Sequence, residues 1–210
     1  YLLDLHKLGS VAILGSSKVR YPLAHRLLLD TLVHHRPDQV EIYVLSTHSN
    51  AENLWGWLRW APHSQILDAI EKIDQKKDDD DEKEPQHLVF GASAIKIFLG
   101  RFESFIKRNQ SSAKQLLIID VDGLQQYGEA FVHEMIEKAT LWNLAFLFVG
   151  GQQLPHAVRG VVRMQKDGNA LFVDTRVETD DIDEKEYHTK VTLDPYPKLQ
   201  DCKSVTRSLA

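Results

Sequence analysis

Cysteine is nearly absent: the 210 residues contain one, Cys202. No internal disulfide framework can hold this fold, and a lone thiol fits a reducing compartment. Long apolar runs are missing too. A helix that crosses a bilayer needs about 18 or more consecutive apolar residues, and no stretch here supplies them. No secretory signal opens the chain, which begins at Tyr1 rather than Met and so reads as a piece of a longer polypeptide. Basic excess is lacking: the formal net charge is -5, which gives no support to a broad nucleic-acid surface. No internal repeat recurs at spacings of about 20–50 residues. What is present is ordinary for a globular domain, 43% hydrophobic and 26% charged. The length suits one domain over 1–210 with a substantial core.

The strongest organisation lies near the start. Val11-Ala12-Ile13-Leu14 is a short apolar run that ends in Gly15-Ser16-Ser17, and a helical stripe of Leu23, Leu27, Leu28, Thr31 and Leu32 follows. Strand, glycine turn and helix start are the layout of a phosphate-binding loop. The pattern G-x-x-x-x-G-K-[ST], counted from Gly15, asks for Gly, Lys and Ser or Thr where this chain has Arg20, Tyr21 and Pro22. Tyr21 lacks the lysine charge that neutralises phosphate. Pro22 has neither hydroxyl nor N–H, and Arg20 is bulky where backbone must approach the ligand. Lys18 and Arg20 remain cationic, so an anion could still visit the helix start. Pro22 is expected in the first turn of that helix, which Arg36-Pro37-Asp38 ends.

Buried strands are expected at Val40–Leu45, Gln115–Asp120 and Leu144–Val149, with a short extended piece at Leu88–Phe90. The first strand, its helix and Val40–Leu45 suggest a βαβ unit. Helices are expected at Ala92–Arg108, at Glu129–Ala139, and from a Ser64 cap through Ile66, Leu67, Ile70 and Ile73. Val161–Met164, Ala170–Asp174 and Lys190–Leu193 read as shorter strands or edges, with Asp167-Gly168 a hairpin-type turn. Thr179–Glu186 reads as a short helix or loop. Strands alternating with helices predict an α/β class, a mainly parallel sheet flanked by helices. The charged block Lys76–Glu84, with Asp78-Asp79-Asp80-Asp81, reads as a solvated insertion; it lacks the turn glycines of a calcium loop.

Four constellations bear on chemistry. Leu116-Leu117-Ile118-Ile119-Asp120 matches a Walker B strand, whose carboxylate helps hold Mg²⁺ in P-loop ATPases. Asp122 lies on the other face of an extended chain, and the Asp120/Asp122 pair reads either as a metal or base site or as satisfied turn carboxylates. Gln152 and Gln153 after the Leu144–Val149 strand read as a γ-phosphate sensor or a plain turn. Trp55, Trp57 and Trp60 fall on different faces of a helix, so at least one is open to serve as a partner anchor; the alternative is a hydrophobic plug over the sheet edge. His34, His35 and His63 show no metal-ligand spacing, and no G-x-S-x-G nucleophile turn exists.

These residues carry a resemblance. Gly15-Ser16-Ser17, the helix to Val33, and His35 through Leu45 resemble FtsK/SpoIIIE-type ATPase modules, most of all those repeated along EssC/EccC, the membrane ATPase of type VII secretion systems. That family has a G-S-S-G-x-G-K-[ST] loop, a P-[ED]-x-[VL]-x-[FI]-Y-[LV]-[LV]-D strand and an L-P-H stretch. Ala61-Pro62-His63 is similar to the last piece, and Ile118-Ile119-Asp120 to the family's Walker B strand. The likeness runs over about residues 9–155. This chain departs at Arg20, Tyr21 and Pro22, and at Ser46, where the family has a strand-end Asp. The resemblance implies a P-loop NTPase fold of the RecA/FtsK-like type and a degenerate ATPase module, on the cytoplasmic side of a membrane-anchored protein. Its vestigial nucleotide-binding residues are Gly15, Ser16, Ser17, Lys18, Arg20 and Asp120. No cofactor is expected here, although the parent family uses ATP and Mg²⁺. The implied partners are neighbouring ATPase modules of the same chain, secreted substrate proteins and a hexamer of the parent, with no specific nucleic acid. Two alternatives stand beside it: a module that keeps weak ATP binding through Gly15 to Ser17 and Asp120, and an unrelated α/β hydrolase.

Overall fold

A computed structural model describes residues 5–64, 87–108, 113–121, 129–149, 154–155, 157–164, 170–174, 188–191 and 198–209. The elements are α1 (Leu5–Leu8), β1 (Ser10–Leu14), α2 (Ser17–His34), β2 (Val40–Ser46), α3 (Ala51–Trp55), two 3₁₀ segments (Gly56–Trp60 and Pro62–Ser64), β3 (Leu88–Phe90), α4 (Ala92–Arg108), β4 (Lys114–Asp120), α5 (Glu129–Glu137), β5 (Leu144–Phe148), β6 (Gly160–Met164), β7 (Ala170–Asp174), β8 (His188–Val191) and α6 (Leu199–Leu209). The expected helix beyond Ser64, the block Lys76–Glu84, Asp122, Gln152, Gln153, Asp167-Gly168 and Thr179–Glu186 lie outside the described residues.

One sheet runs in the order β3-β2-β4-β5-β1-β6-β7-β8. Every pairing from β3 to β6 is parallel, and β7 and β8 add antiparallel at the far edge. The predicted α/β class holds. β1 and β2 are not neighbours, however: β5 and β4 lie between them. The reason is that apolar runs buried on both faces carry no information about which strand pairs with which.

The strand alternation splits the core in two. Val11, Ile13, Ile42, Val44, Leu116, Ile118 and Leu147 face one cluster with Leu28 and Leu32 of α2, Trp55, Trp57 and Cys202 of α6. Ala12, Tyr43, Leu45, Leu117, Ile119, Phe146 and Phe148 face the other, with Ile95, Phe98, Leu99 and Phe102 of α4 and Met135 and Ile136 of α5. Side chains two apart along a strand share a face, so β1, β2, β4 and β5 each feed both layers.

One expectation about a helix needs correction. α2 begins at Ser17, not near Pro22, and Pro22 sits inside it. A proline there removes one i→i−4 bond, and Tyr21, anchored by a tertiary hydrogen bond described below, keeps the turn in place. α6 matches none of the elements expected from the sequence. Its apolar content is low, and its start is set by a local device: the Lys198 amide donates to the Asp201 carboxylate (2.9 Å), half of a capping box.

Candidate functional site

In parallel α/β sheets ligands bind outside the carboxyl ends of the strands. Here the ends of β1, β2 and β4 meet the start of α2. The register places Ser46 of β2 directly beside Asp120 of β4. Gly15 follows β1 with φ 147°, a positive value that glycine adopts at little steric cost. Ser16 follows in extended geometry, and its side chain caps nothing. The chain enters α2 at once. The amides of Val19 and Arg20 both donate to the Ser16 carbonyl (3.0 Å each). Backbone N–H groups that a phosphate loop would turn toward its ligand are used here in the first helical turn.

Asp120 is 4% exposed and accepts three hydrogen bonds. The Tyr21 hydroxyl donates to Oδ1 (3.0 Å), while the Ser46 hydroxyl and the Trp55 indole N–H both donate to Oδ2 (2.9 Å each). An ionised carboxylate offers about four lone-pair directions, so most are filled by protein. Ser46 also accepts from the His48 amide (3.1 Å), and the Thr47 amide donates to the Asp120 carbonyl (3.2 Å). Arg20 extends the chain of bonds outward. Its Nη2 donates to the Tyr21 oxygen at 3.3 Å, and its guanidinium lies 5.0 Å from the Tyr21 ring centre. Burial raises the Tyr21 phenol above its ordinary value of 10.0, the Arg20 bond opposes this, and the Asp120 charge and hydrogen bond add to it. Tyr21 therefore stays protonated and acts as a donor.

An aromatic layer backs this hub. Trp55 meets Tyr21 edge-on at 5.8 Å. His25 of α2 sits between Trp55 (5.2 Å) and Trp57 (5.6 Å), edge-on to both. Burial drives the His25 imidazole down to about 4, against the opposing effect of a hydrogen bond with the Leu54 backbone. Nε2 of His25 finds no hydrogen-bond partner among the described residues, so a neutral ring is the form that fits. His63 is buried as well. Its Nε2 pairs with the His35 carbonyl at 2.8 Å, and burial again lowers its pKa.

The structure thus brings Arg20 and Asp120 together, with Tyr21 between them, and leaves Ser16, Ser17 and Lys18 exposed on the surface. It does not gather the three tryptophans into one anchor. Trp55 (0% exposed) and Trp57 (2%) are core residues, and Trp60 alone is open, at 45%. The indole of Trp55 is drawn inward by Asp120, and that of Trp57 by the Leu54 carbonyl (2.9 Å). That Ser46 and Tyr21 donate to Asp120, and that His25 is buried between two indoles, escapes a reading of the sequence alone. The one available signal was Tyr21 at the lysine position opposite a strand-end Asp. Among the described residues no cluster of three or more His, Cys, Asp or Glu could hold a metal ion, and no helix is long and apolar enough to cross a membrane.

No protein-family model matches the sequence, and no curated protein matches it. Solved structures do match in fold. Thermomonospora curvata EccC (ATPases 2 and 3), in complex with a signal sequence peptide, aligns over 93% of this chain and 38% of that one, with TM-score 0.54 and 11% identity. The cytoplasmic domain of the Thermomonospora curvata type VII secretion ATPase EccC aligns over 93% of this chain and 25% of that one, with TM-score 0.52 and 12% identity. The chain spans well under half the length of either. What it shares with both is the α/β fold of their ATPase domains, as the resemblance implied.

Proposed function

We propose that this chain is a non-hydrolysing ATPase-fold module of a type VII secretion motor, serving in assembly, regulation or recognition of secreted proteins. The observation that carries the reading is the Tyr21–Asp120 hydrogen bond. In a working P-loop, lysine and the Walker B carboxylate serve a Mg²⁺–triphosphate between them. Here the residue in the lysine position is a neutral donor bonded directly to that carboxylate. Ser46 and Trp55 occupy the rest of the group, and no hydroxyl stands at Pro22 to bind the ion. The donor set does not fit magnesium nucleotide, so no catalytic step is assigned to this module.

The multi-domain EccC neighbours, one holding a signal sequence peptide, support a part within a larger secretion ATPase. By that analogy the module faces the cytoplasm, stacks on sibling modules and contributes to a hexamer of its parent. Ser16, Ser17 and Lys18, exposed at the start of α2, are the one feature that favours residual nucleotide binding.

Calorimetry with Mg·ATP at millimolar concentration tests the reading; no saturable heat is expected. We also expect no turnover from Tyr21→Lys combined with Pro22→Ser, because Arg20 stays in the phosphate path and the helix still starts at Ser17. Turnover by the native chain would overturn the proposal; saturable binding would reject an empty loop, and hydrolysis by the double variant would count against this account of Arg20.

A further inference from the structure

We propose that Trp60 and Arg207 form a docking surface for an acidic segment of another protein chain. Of the three tryptophans between positions 55 and 60, only Trp60 is left out of the core. It is held in place, not loose. Its segment is tied down by the Ala61 amide to the Leu58 carbonyl (2.8 Å), by the Ser64 hydroxyl to the same carbonyl (2.6 Å), and by the buried indoles of Trp55 and Trp57. A large aromatic presented rigidly loses little conformational entropy on binding, which is the character of an interface anchor.

The charge beside it comes from a distant part of the sequence. α6 packs on the 3₁₀ segment through Cys202 and Thr206, both fully buried, with the Thr206 hydroxyl 3.3 Å from the Trp57 carbonyl. That packing sets the Arg207 guanidinium 5.9 Å from the Trp60 ring centre, within cation–π range. Lys203 lies one turn earlier on the same face of α6, and both cations are exposed. Neither has a carboxylate within ion-pair distance among the described residues. Arg59, by contrast, is matched by Glu52, and Asp201 is used at the start of α6. The charge complement of an anchored tryptophan beside two unmatched cations is a segment that carries carboxylates next to apolar side chains. The chain's net charge of -5 gives no support to a broad nucleic-acid surface, whereas a short acidic segment needs only the local pair of cations.

This deepens the recognition role proposed above and rests on it, but its test is separate. The intact chain is titrated by fluorescence anisotropy with a short labelled peptide of repeated Glu-Leu-Glu units, its Lys-for-Glu counterpart, and a twelve-nucleotide oligothymidylate. Saturable binding of the acidic peptide alone is expected, weakened at least about tenfold by Trp60→Ala and by Arg207→Glu and by raised salt. Ile97→Ala, a change at an exposed apolar residue on α4 across the sheet, should leave it unchanged. Circular dichroism confirms that the variants fold, and Trp60→Phe should retain most of the affinity. The proposal is overturned if the acidic peptide does not bind, if the Lys peptide or the oligonucleotide binds as well, or if Ile97→Ala weakens binding as much as Trp60→Ala. A dimer of the native chain that Trp60→Ala dissolves would assign the surface to a second copy instead. Binding seen only after Asp78, Asp79, Asp80 and Asp81 are all changed to Asn would assign it to the chain's own acidic block. ATP turnover by the native chain would sink the non-hydrolysing reading and leave this titration standing.

Discussion

Replacing Asp120 should destabilise the protein in the absence of any nucleotide or metal. Asp120→Ala strands three donors in a buried site: the Tyr21 hydroxyl, the Ser46 hydroxyl and the Trp55 indole N–H. Each buried donor left unpaired costs about 1–3 kcal/mol. The Ser46 and Tyr21 hydroxyls can rotate toward new acceptors, but the indole N–H cannot, and removal of a buried charge returns some desolvation energy. A net loss of about 3–5 kcal/mol follows. For a domain of this size each kcal/mol shifts Tm by about 2–4 °C, so the variant should melt on the order of 10 °C lower. Asp120→Asn keeps one acceptor oxygen and should lose less. Tyr21→Phe removes a single bond to a charged acceptor, about 1.5–3 kcal/mol. In a double-mutant cycle the two sites should couple by at least about 1 kcal/mol. The assay is urea denaturation followed by tryptophan fluorescence, to which Trp55 contributes beside Trp57, Trp60 and Trp142. A carboxylate kept for metal would behave in the opposite way. If Asp120→Ala left stability unchanged or raised it, or if Tyr21→Phe and Asp120→Asn were simply additive, the hub would not exist as described.

Two further outcomes follow from buried titratable groups. His25 binds its proton at about 4 in the folded chain against an ordinary 6.5, so the unfolded chain takes up the proton first as pH falls. Stability is full above about pH 6.5 and drops by about 1.4 kcal/mol per pH unit down to about pH 4, roughly 3 kcal/mol in all. Urea titrations at pH 7, 6, 5 and 4 should show that loss, and His25→Phe should flatten the slope by one proton; an unchanged slope refutes the assignment. Cys202 is fully buried, and burial first, with Asp201 adding, pushes its thiol up to about 11. A thiol reagent at pH 7 should label the native chain only as α6 opens and the unfolded chain at once; equal rates in both states would mean that α6 is not seated on the 3₁₀ segment.

Much of the architecture was legible from pattern alone. Apolar runs such as Val40–Leu45 and Leu144–Val149 announce buried strands, because few other local structures hide so many consecutive side chains. The i, i+3, i+4 spacing of Ile95, Phe98, Leu99 and Phe102 announces α4 for the same reason. The gap at Arg20, Tyr21 and Pro22 was visible as missing phosphate chemistry. The Tyr21–Asp120 hydrogen bond was not, because a contact between side chains 99 positions apart is not written in short-range spacing. The fate of Trp55, Trp57 and Trp60 was equally hidden, since three like side chains in six residues carry no label for inside and outside.

By itself the chain determined its buried strands, the helices α2, α4 and α5, its class, and the absence of glycine, lysine and serine at positions 20–22, since each depends on residue type and short-range spacing. Only the tertiary structure decided that β5 and β4 separate β1 from β2, that Tyr21, Ser46 and Trp55 share one carboxylate, and that α6 sets Arg207 beside Trp60. Those are encounters between residues up to 149 positions apart. They depend on how buried faces choose one another, and hydrophobic burial, being non-directional, writes no partner's address into a sequence.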